Sequence, residues 1–144
     1  MEDVSAARAG LARACALIVG EDAVLASPAL RIYVCNVATQ DGETADLDLA
    51  GHVEALAAHA GAGIVDVVLA NNRPGDRATL RAPSQPVRLT WPPAMTPAPK
   101  VVLDDVVDAT AAQRHDPDRL AAAVIRILER EGAARRRASA SRTA

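Results

Sequence analysis

Two groups of polar side chains in this sequence directly follow apolar, β-branched segments. The first group is Asn36, Thr39, Gln40 and Glu43, and the second is Asn71 and Asn72. A side-chain amide offers two hydrogen-bond donors and an acceptor, which suits a sugar hydroxyl or the edge of a uracil ring. The alternative is that these residues cap or turn the chain in ordinary loops.

A third candidate is Arg114, which stands with His115 and Asp116 just before the last apolar-periodic segment. A guanidinium beside the free N–H groups of a helix start attracts anions. The alternative is an N-cap with a solvated arginine. A further helix is predicted between the two polar groups, and its start carries Glu43, Asp46 and Asp48. These acidic residues would repel a phosphate at that position.

The elements that must position these groups form a strand–helix–strand pattern. Residues 30–37 and 64–70 have the composition of strands buried on both faces. Between them, Asp46 is a candidate N-cap for an amphipathic helix that ends at Gly61. This pattern predicts a parallel pair of strands, so both polar groups should lie at the carboxyl edge of one sheet.

The remaining segments predict helices and short strands around this unit. Helices are expected over residues 5–18 and 21–26, and short strands near a sheet edge at 86–90 and 101–103. Asp116 is expected to cap a last helix that Gly132 ends. The arginine-containing residues 133–144 are expected to form a disordered basic tail.

Composition excludes several classes of protein. The 144 residues carry a net charge of −2 and 1% aromatic residues, which argues against a nucleic-acid partner. No apolar run approaches the ~20 residues that cross a bilayer, and the acidic start lacks the basic region of a secretory signal, so a cytoplasmic protein with no membrane partner is expected. His52 and His59 are too far apart to share a metal ion, and no motif for catalysis or a cofactor is present.

Several segments resemble the gluconeogenesis factor family, the YvcK-type UDP-sugar-binding proteins, which are related to the 2-phospho-L-lactate transferases. The resemblance rests on Tyr-Val-Cys-Asn-Val at 33–37, Thr-Gln-Asp-Gly-Glu-Thr at 39–44 and His-Val-Glu-Ala-Leu at 52–56. It continues with Asn71-Asn72 and with Arg-His-Asp-Pro at 114–117.

This resemblance implies an α/β, Rossmann-like partial parallel sheet flanked by helices. It also implies binding of UDP-N-acetylglucosamine or a similar UDP-sugar, with a regulatory role in carbon supply, cell-wall synthesis and cell shape. The implied ligand-binding residues are Asn36, Thr39, Gln40, Glu43, Asn71, Asn72 and Arg114, with no catalytic residue, metal or cofactor. The alternatives are a nucleotide-dependent transferase of the phospholactate type and a fragment that binds nothing.

The sequence also departs from the family pattern. Family members are longer and begin with a glycine-rich strand–turn–helix segment, and they have an Arg-Tyr pair where this chain has Arg77-Ala78. We therefore expect residues 1–132 to be the C-terminal half of a larger YvcK/CofD-like domain. Such a half exposes an apolar sheet edge, so we expect it to be marginally stable alone, or to assemble with itself or with a missing N-terminal half.

Overall fold

A computed structural model describes residues 21–142 as a three-stranded parallel sheet with helices on both faces. The elements are α1 (Glu21–Ala26), β1 (Ile32–Val34), α2 (Leu49–Ala60), β2 (Val67–Asn71), a 3₁₀ turn (Arg77–Thr79), β3 (Lys100–Asp104) and α3 (Pro117–Arg142). The strand order is β1-β2-β3, and both neighbouring pairs are parallel. The predicted α/β class and the strand–helix–strand unit are therefore confirmed, while the predicted helix over 5–18 lies outside the described residues.

The central strand β2 is buried on both faces of the sheet, which explains its nearly continuous apolar sequence. One face carries Leu69, packed in a cluster with Val37, Val106 and Ile127 of the β1 and β3 ends and α3. The other face carries a second cluster, which consists of Cys35, Leu49, Val53, Val68 and Ala70. Helices on both faces thus fix the sheet, and all three strands deliver their carboxyl ends to the same edge.

Helix α2 begins two residues later than the sequence predicts. Its N-cap is Asp48, whose Oδ1 accepts a hydrogen bond of 2.8 Å from the Gly51 N–H. Asp46 instead lies in the preceding turns of residues 41–46, so its prediction as the cap is wrong. The predicted end of the helix at Gly61 is confirmed, since that residue is the C-cap with φ 95°.

Helix α3 begins as predicted but does not end at Gly132. Asp116 Oδ1 accepts hydrogen bonds from the N–H groups of Asp118 and Arg119, so the predicted N-cap is confirmed. The helix continues to Arg142, and the expected disordered tail is wrong for residues 133–142. One internal glycine costs a helix only about 1 kcal/mol, and the alanines and arginines that follow are strong helix formers.

The end of α3 is also attached to the body of the protein. The Arg135 guanidinium donates to the Pro28 carbonyl at 2.7 Å and to Asp66 Oδ2 at 3.1 Å. Arg31 pairs with the same Asp66 carboxylate at 2.8 Å. The Arg31 hydrogen bond is the main reason why the pKa of Asp66 lies below its ordinary value. These contacts hold the helix beside the amino ends of β1 and β2, away from the predicted site.

The proline-rich segment after the 3₁₀ turn forms less strand than the sequence predicts. Residues 86–90 contain only an isolated antiparallel bridge between Pro86 and Ala38, so the predicted strand there is wrong. Proline lacks the N–H group that would continue a ladder, and Val87 makes one backbone bond, to the Val37 carbonyl. The predicted strand near 101–103 is confirmed as β3, whose one ladder partner among the described residues is β2. No described helix is long and apolar enough to cross a membrane.

Candidate functional site

The predicted amides of the first two strands meet at the carboxyl edge of the sheet. Asn36 follows β1, and Asn71 and Asn72 stand at the end of β2, where the three line a small cavity of about 90 Å³. Pro86 and Val87 close its other side. The expectation that Asn36 and Asn71 share one edge is thus what the structure shows, because the strands are parallel.

A larger space, here called the main cavity, opens beside Asn36. Its volume is about 670 Å³, within the range of sites for small-molecule ligands. Asn36, Thr39 and Gln40 lie on the side of the β1 loop, while Arg114 comes from the loop before α3. Four of the seven predicted ligand-binding residues therefore line one cavity, and Arg114 reaches it from a segment far from the other three in the sequence.

Thr39 holds the wall of the main cavity in place. It is 7% exposed, its N–H donates to the Gln85 carbonyl at 2.7 Å, and its Oγ1 accepts from the Gln85 N–H at 2.9 Å. The next residue is fixed as well, because the Gln40 N–H donates to Thr44 Oγ1 at 2.8 Å. This stretch therefore has a fixed backbone, which presents the Gln40 side of the cavity in one conformation.

Asn71 positions backbone segments at this edge. Its Oδ1 accepts a hydrogen bond of 3.1 Å from the Val106 N–H, and its Nδ2 donates to the Arg73 carbonyl. The side chain thereby joins the end of β2 to the segment after β3. Both of its polar atoms already have protein partners, so the arrangement makes it a support for the small cavity.

Glu43 stands apart from the other predicted residues. It lies in the exposed turn of residues 41–46 and is not among the residues that line the main cavity. Its backbone N–H donates to the Gln40 carbonyl at 3.2 Å, which closes the turn. The structure thus places Glu43 near the site without bringing it to the cavity.

His115 also lines the main cavity, and the sequence patterns did not single it out as a ligand-facing residue. Its Nε2 lies 3.0 Å from the carbonyl oxygen of Cys35, 80 positions earlier in the chain. A carbonyl oxygen only accepts, so Nε2 carries the hydrogen and donates it. Burial lowers the pKa of His115 below its ordinary value of 6.5, despite the opposing effect of this hydrogen bond. The neutral ring therefore leaves Nδ1 as an acceptor.

We expect the stability of the protein to fall as the pH is lowered through 6.5, toward the pKa of folded His115. In this window the unfolded chain binds a proton that the folded chain does not, so the free energy of unfolding decreases. His115→Gln, whose amide can still donate to the Cys35 carbonyl, should flatten the slope. Urea unfolding between about pH 5 and pH 7 measures it. An unchanged slope in the variant would show that His115 is not the residue responsible.

Arg81 is a second residue at the main cavity that the sequence did not indicate. It lies in an irregular loop where no periodicity or motif marks it.

Cys35 lies in the core at 1% exposure, and burial raises its pKa to about 12, as expected for a core thiol. Within residues 21–142, no cluster of side chains could hold a metal ion.

Comparisons with known proteins find one family model and several relatives that share a name. The family model described as 2-phospho-L-lactate transferase CofD matches residues 17–107. The gluconeogenesis factor of Bacillus subtilis (strain 168) is 46% identical over 38% of this chain and 17% of its own length. A putative gluconeogenesis factor of Nostoc sp. is 36% identical over 73% of this chain and 25% of its own length.

A solved crystal structure also resembles this chain in fold. A crystal structure of a member of the UPF0052 family from Bacillus halodurans superposes with a TM-score of 0.65 and 27% sequence identity. The match covers 73% of this chain and 35% of that one. The chain therefore spans about a third of the solved structure and a quarter or less of the two curated relatives.

Proposed function

This chain belongs to the CofD family and is homologous to the gluconeogenesis factors, and on that premise we propose that its main cavity binds a UDP-sugar such as UDP-N-acetylglucosamine. The binding serves a regulatory role that connects carbon supply with cell-wall synthesis and cell shape. The curated relatives support the link to carbon supply through the name they carry, gluconeogenesis factor. Because the chain spans a quarter or less of the two curated relatives, we propose the same function for a protein of their full length.

The observation that carries the proposal is the chemistry of the main cavity. It is lined by Asn36 and Gln40, which carry side-chain amides, and by Arg114, which carries a guanidinium, at the carboxyl edge of a parallel sheet. Amides match the hydroxyls of a sugar and the polar edge of uracil, and a guanidinium matches a phosphate. The carboxyl edge is also where open α/β sheets bind their ligands.

A transferase of the 2-phospho-L-lactate type is the second candidate, because the matching family model carries that description. In that case the same cavity would hold a nucleotide-activated donor. His115 is the one residue lining the main cavity that carries an imidazole, and burial lowers its pKa and keeps the ring neutral, so that it can accept a proton. A transferase would consume the bound nucleotide in the presence of an acceptor, whereas a regulator would release it unchanged.

Isothermal titration of the chain with UDP-N-acetylglucosamine tests the proposed function. We expect saturable binding, and we expect Arg114→Ala to weaken it by about 10-fold or more, because a hydrogen-bonded charge pair is lost. Arg130→Ala is the matched control, since Arg130 is also exposed but lies on α3 and is not among the residues that line the main cavity. The absence of heat at millimolar ligand, or an Arg114→Ala variant that binds like the parent, would contradict the proposal.

A further inference from the structure

We infer that Arg81 acts together with Arg114 to hold the diphosphate of the ligand in the main cavity. This inference rests on the function proposed above and deepens it, because it assigns the anionic part of the ligand to a pair of residues from two different loops.

Both arginines extend from backbone segments that are fixed in position. The Arg81 carbonyl accepts from the Ser84 N–H at 3.0 Å, which closes a turn, and Gln85 then pairs with Thr39 through two hydrogen bonds. The Arg114 N–H donates to the Ala111 carbonyl at 2.8 Å, and its own carbonyl accepts from the Asp108 N–H at 2.9 Å. The backbone of each arginine is therefore held in position, while the residue itself remains exposed.

Neither of these two arginines forms an ion pair with a carboxylate of the described residues, although Asp108 lies close enough to Arg114 for the guanidinium to help lower the pKa of its carboxyl. The arginines in ion pairs with aspartates are Arg31, Arg73, Arg119, Arg126 and Arg135. Among the described residues, Arg81 and Arg114 belong to no ion pair, and no carboxylate lines the main cavity. Two unpaired guanidiniums can each bind a phosphate through two parallel hydrogen bonds, which suits a diphosphate.

The neighbouring cavity, on the other side of Thr39, provides the contrast. It has a volume of about 610 Å³ and also contains two arginines, Arg77 and Arg88. Its lining residues include Asp46, whose negative charge repels a phosphate and offsets part of the positive charge. The diphosphate is therefore assigned to the main cavity, and Arg88 serves as the matched control for Arg81.

The test compares the parent chain with Arg81→Gln and Arg88→Gln in titrations with UDP-N-acetylglucosamine, UDP, uridine and inorganic pyrophosphate. We expect Arg81→Gln to weaken the two nucleotides and pyrophosphate by about 10-fold or more, because charged hydrogen bonds are lost. Uridine, which has no phosphate, should bind the variant and the parent alike. Arg88→Gln should change no affinity by more than about 2-fold, as expected for a surface charge outside the cavity. Unchanged thermal unfolding of Arg81→Gln verifies that the variant is folded.

The possible results separate the inference from the proposed function. If the parent binds UDP-N-acetylglucosamine and Arg81→Gln binds it equally well, the inference is overturned and the proposed function stands. If the parent binds only pyrophosphate, and does so through Arg81, the phosphate assignment is supported and the UDP-sugar is wrong. Binding of none of the four probes overturns both. An equal loss in Arg88→Gln, or a matching loss for uridine, also overturns the assignment.

Discussion

Replacement of Leu69 by alanine is expected to lower the free energy of unfolding by about 2–5 kcal/mol, the range for deletion of a fully buried leucine side chain. Leu69 is 0% exposed at the centre of β2. It packs in the cluster that joins the sheet to α3 through Val106 and Ile127. Alanine at this position removes apolar contacts and leaves a cavity that strands paired on both sides cannot close. Equilibrium unfolding in urea measures the change.

Leu128→Ala is the control for this experiment. Leu128 lies on α3 but is 48% exposed, so its truncation should change stability by no more than about 0.5 kcal/mol. A Leu69 variant that unfolds at the same urea concentration as the Leu128 variant would show that β2 is not the buried centre of the sheet. Because the main cavity lies at the carboxyl edge of the sheet, that result would also remove the basis for the site.

The unit that positions the site could be predicted because its signals are local. The two β-branched segments and the apolar stripe of α2 each occupy a short stretch of sequence. Parallel pairing then requires Asn36 and Asn71 to share an edge, whatever the details of the loops. The cap of α3 at Asp116 was predictable for the same reason, since its partners lie two and three residues later.

The elements that differ from the prediction depend on contacts that are distant in sequence. Helix α3 passes Gly132 and is held at Arg135 by Pro28 and Asp66, which are 107 and 69 positions away. No local pattern shows that attachment. The segment 86–90 has strand-like residues, but it packs beside Ala38 with one isolated bridge, because Pro86 interrupts the ladder.

The distance in sequence between contacting residues also separates the predictable part of the site from the part that was not predicted. Asn36, Thr39 and Gln40 follow a strand, so topology alone brings them to the sheet edge. His115 and Arg81 reach the cavity through contacts between distant segments, such as the bond from His115 to the Cys35 carbonyl. A sequence pattern contains no signal for such a contact, and the three-dimensional structure is needed to find it.

Gly75→Ala is expected to lower the free energy of unfolding by about 1–3 kcal/mol, the range for overpacking a tight contact, and to weaken the binding of UDP-N-acetylglucosamine. A Cβ atom at Gly75 would lie 2.5 Å from Ala112 Cβ and 2.9 Å from Ala112 Cα. The loop of Ala112 must therefore move, although the Thr79 hydroxyl, which accepts from its N–H at 3.0 Å, holds it in place. This loop continues directly into Arg114, so the displacement changes the wall of the main cavity. Urea unfolding and calorimetric titration measure the two effects.

Gly132→Ala gives the opposite expectation and is the matched control. Gly132 lies inside α3, and a Cβ atom there would approach the flexible Arg136 guanidinium at 3.4 Å. Alanine is a better helix former than glycine, so this variant should gain up to about 1 kcal/mol of stability and bind the ligand like the parent. Destabilisation by Gly132→Ala would show that the chain does not continue as a helix through this residue. A Gly75→Ala variant with the stability and affinity of the parent would show that the loops carrying Gly75 and Ala112 are not in contact, and Arg114 would then lack the support that places it at the cavity.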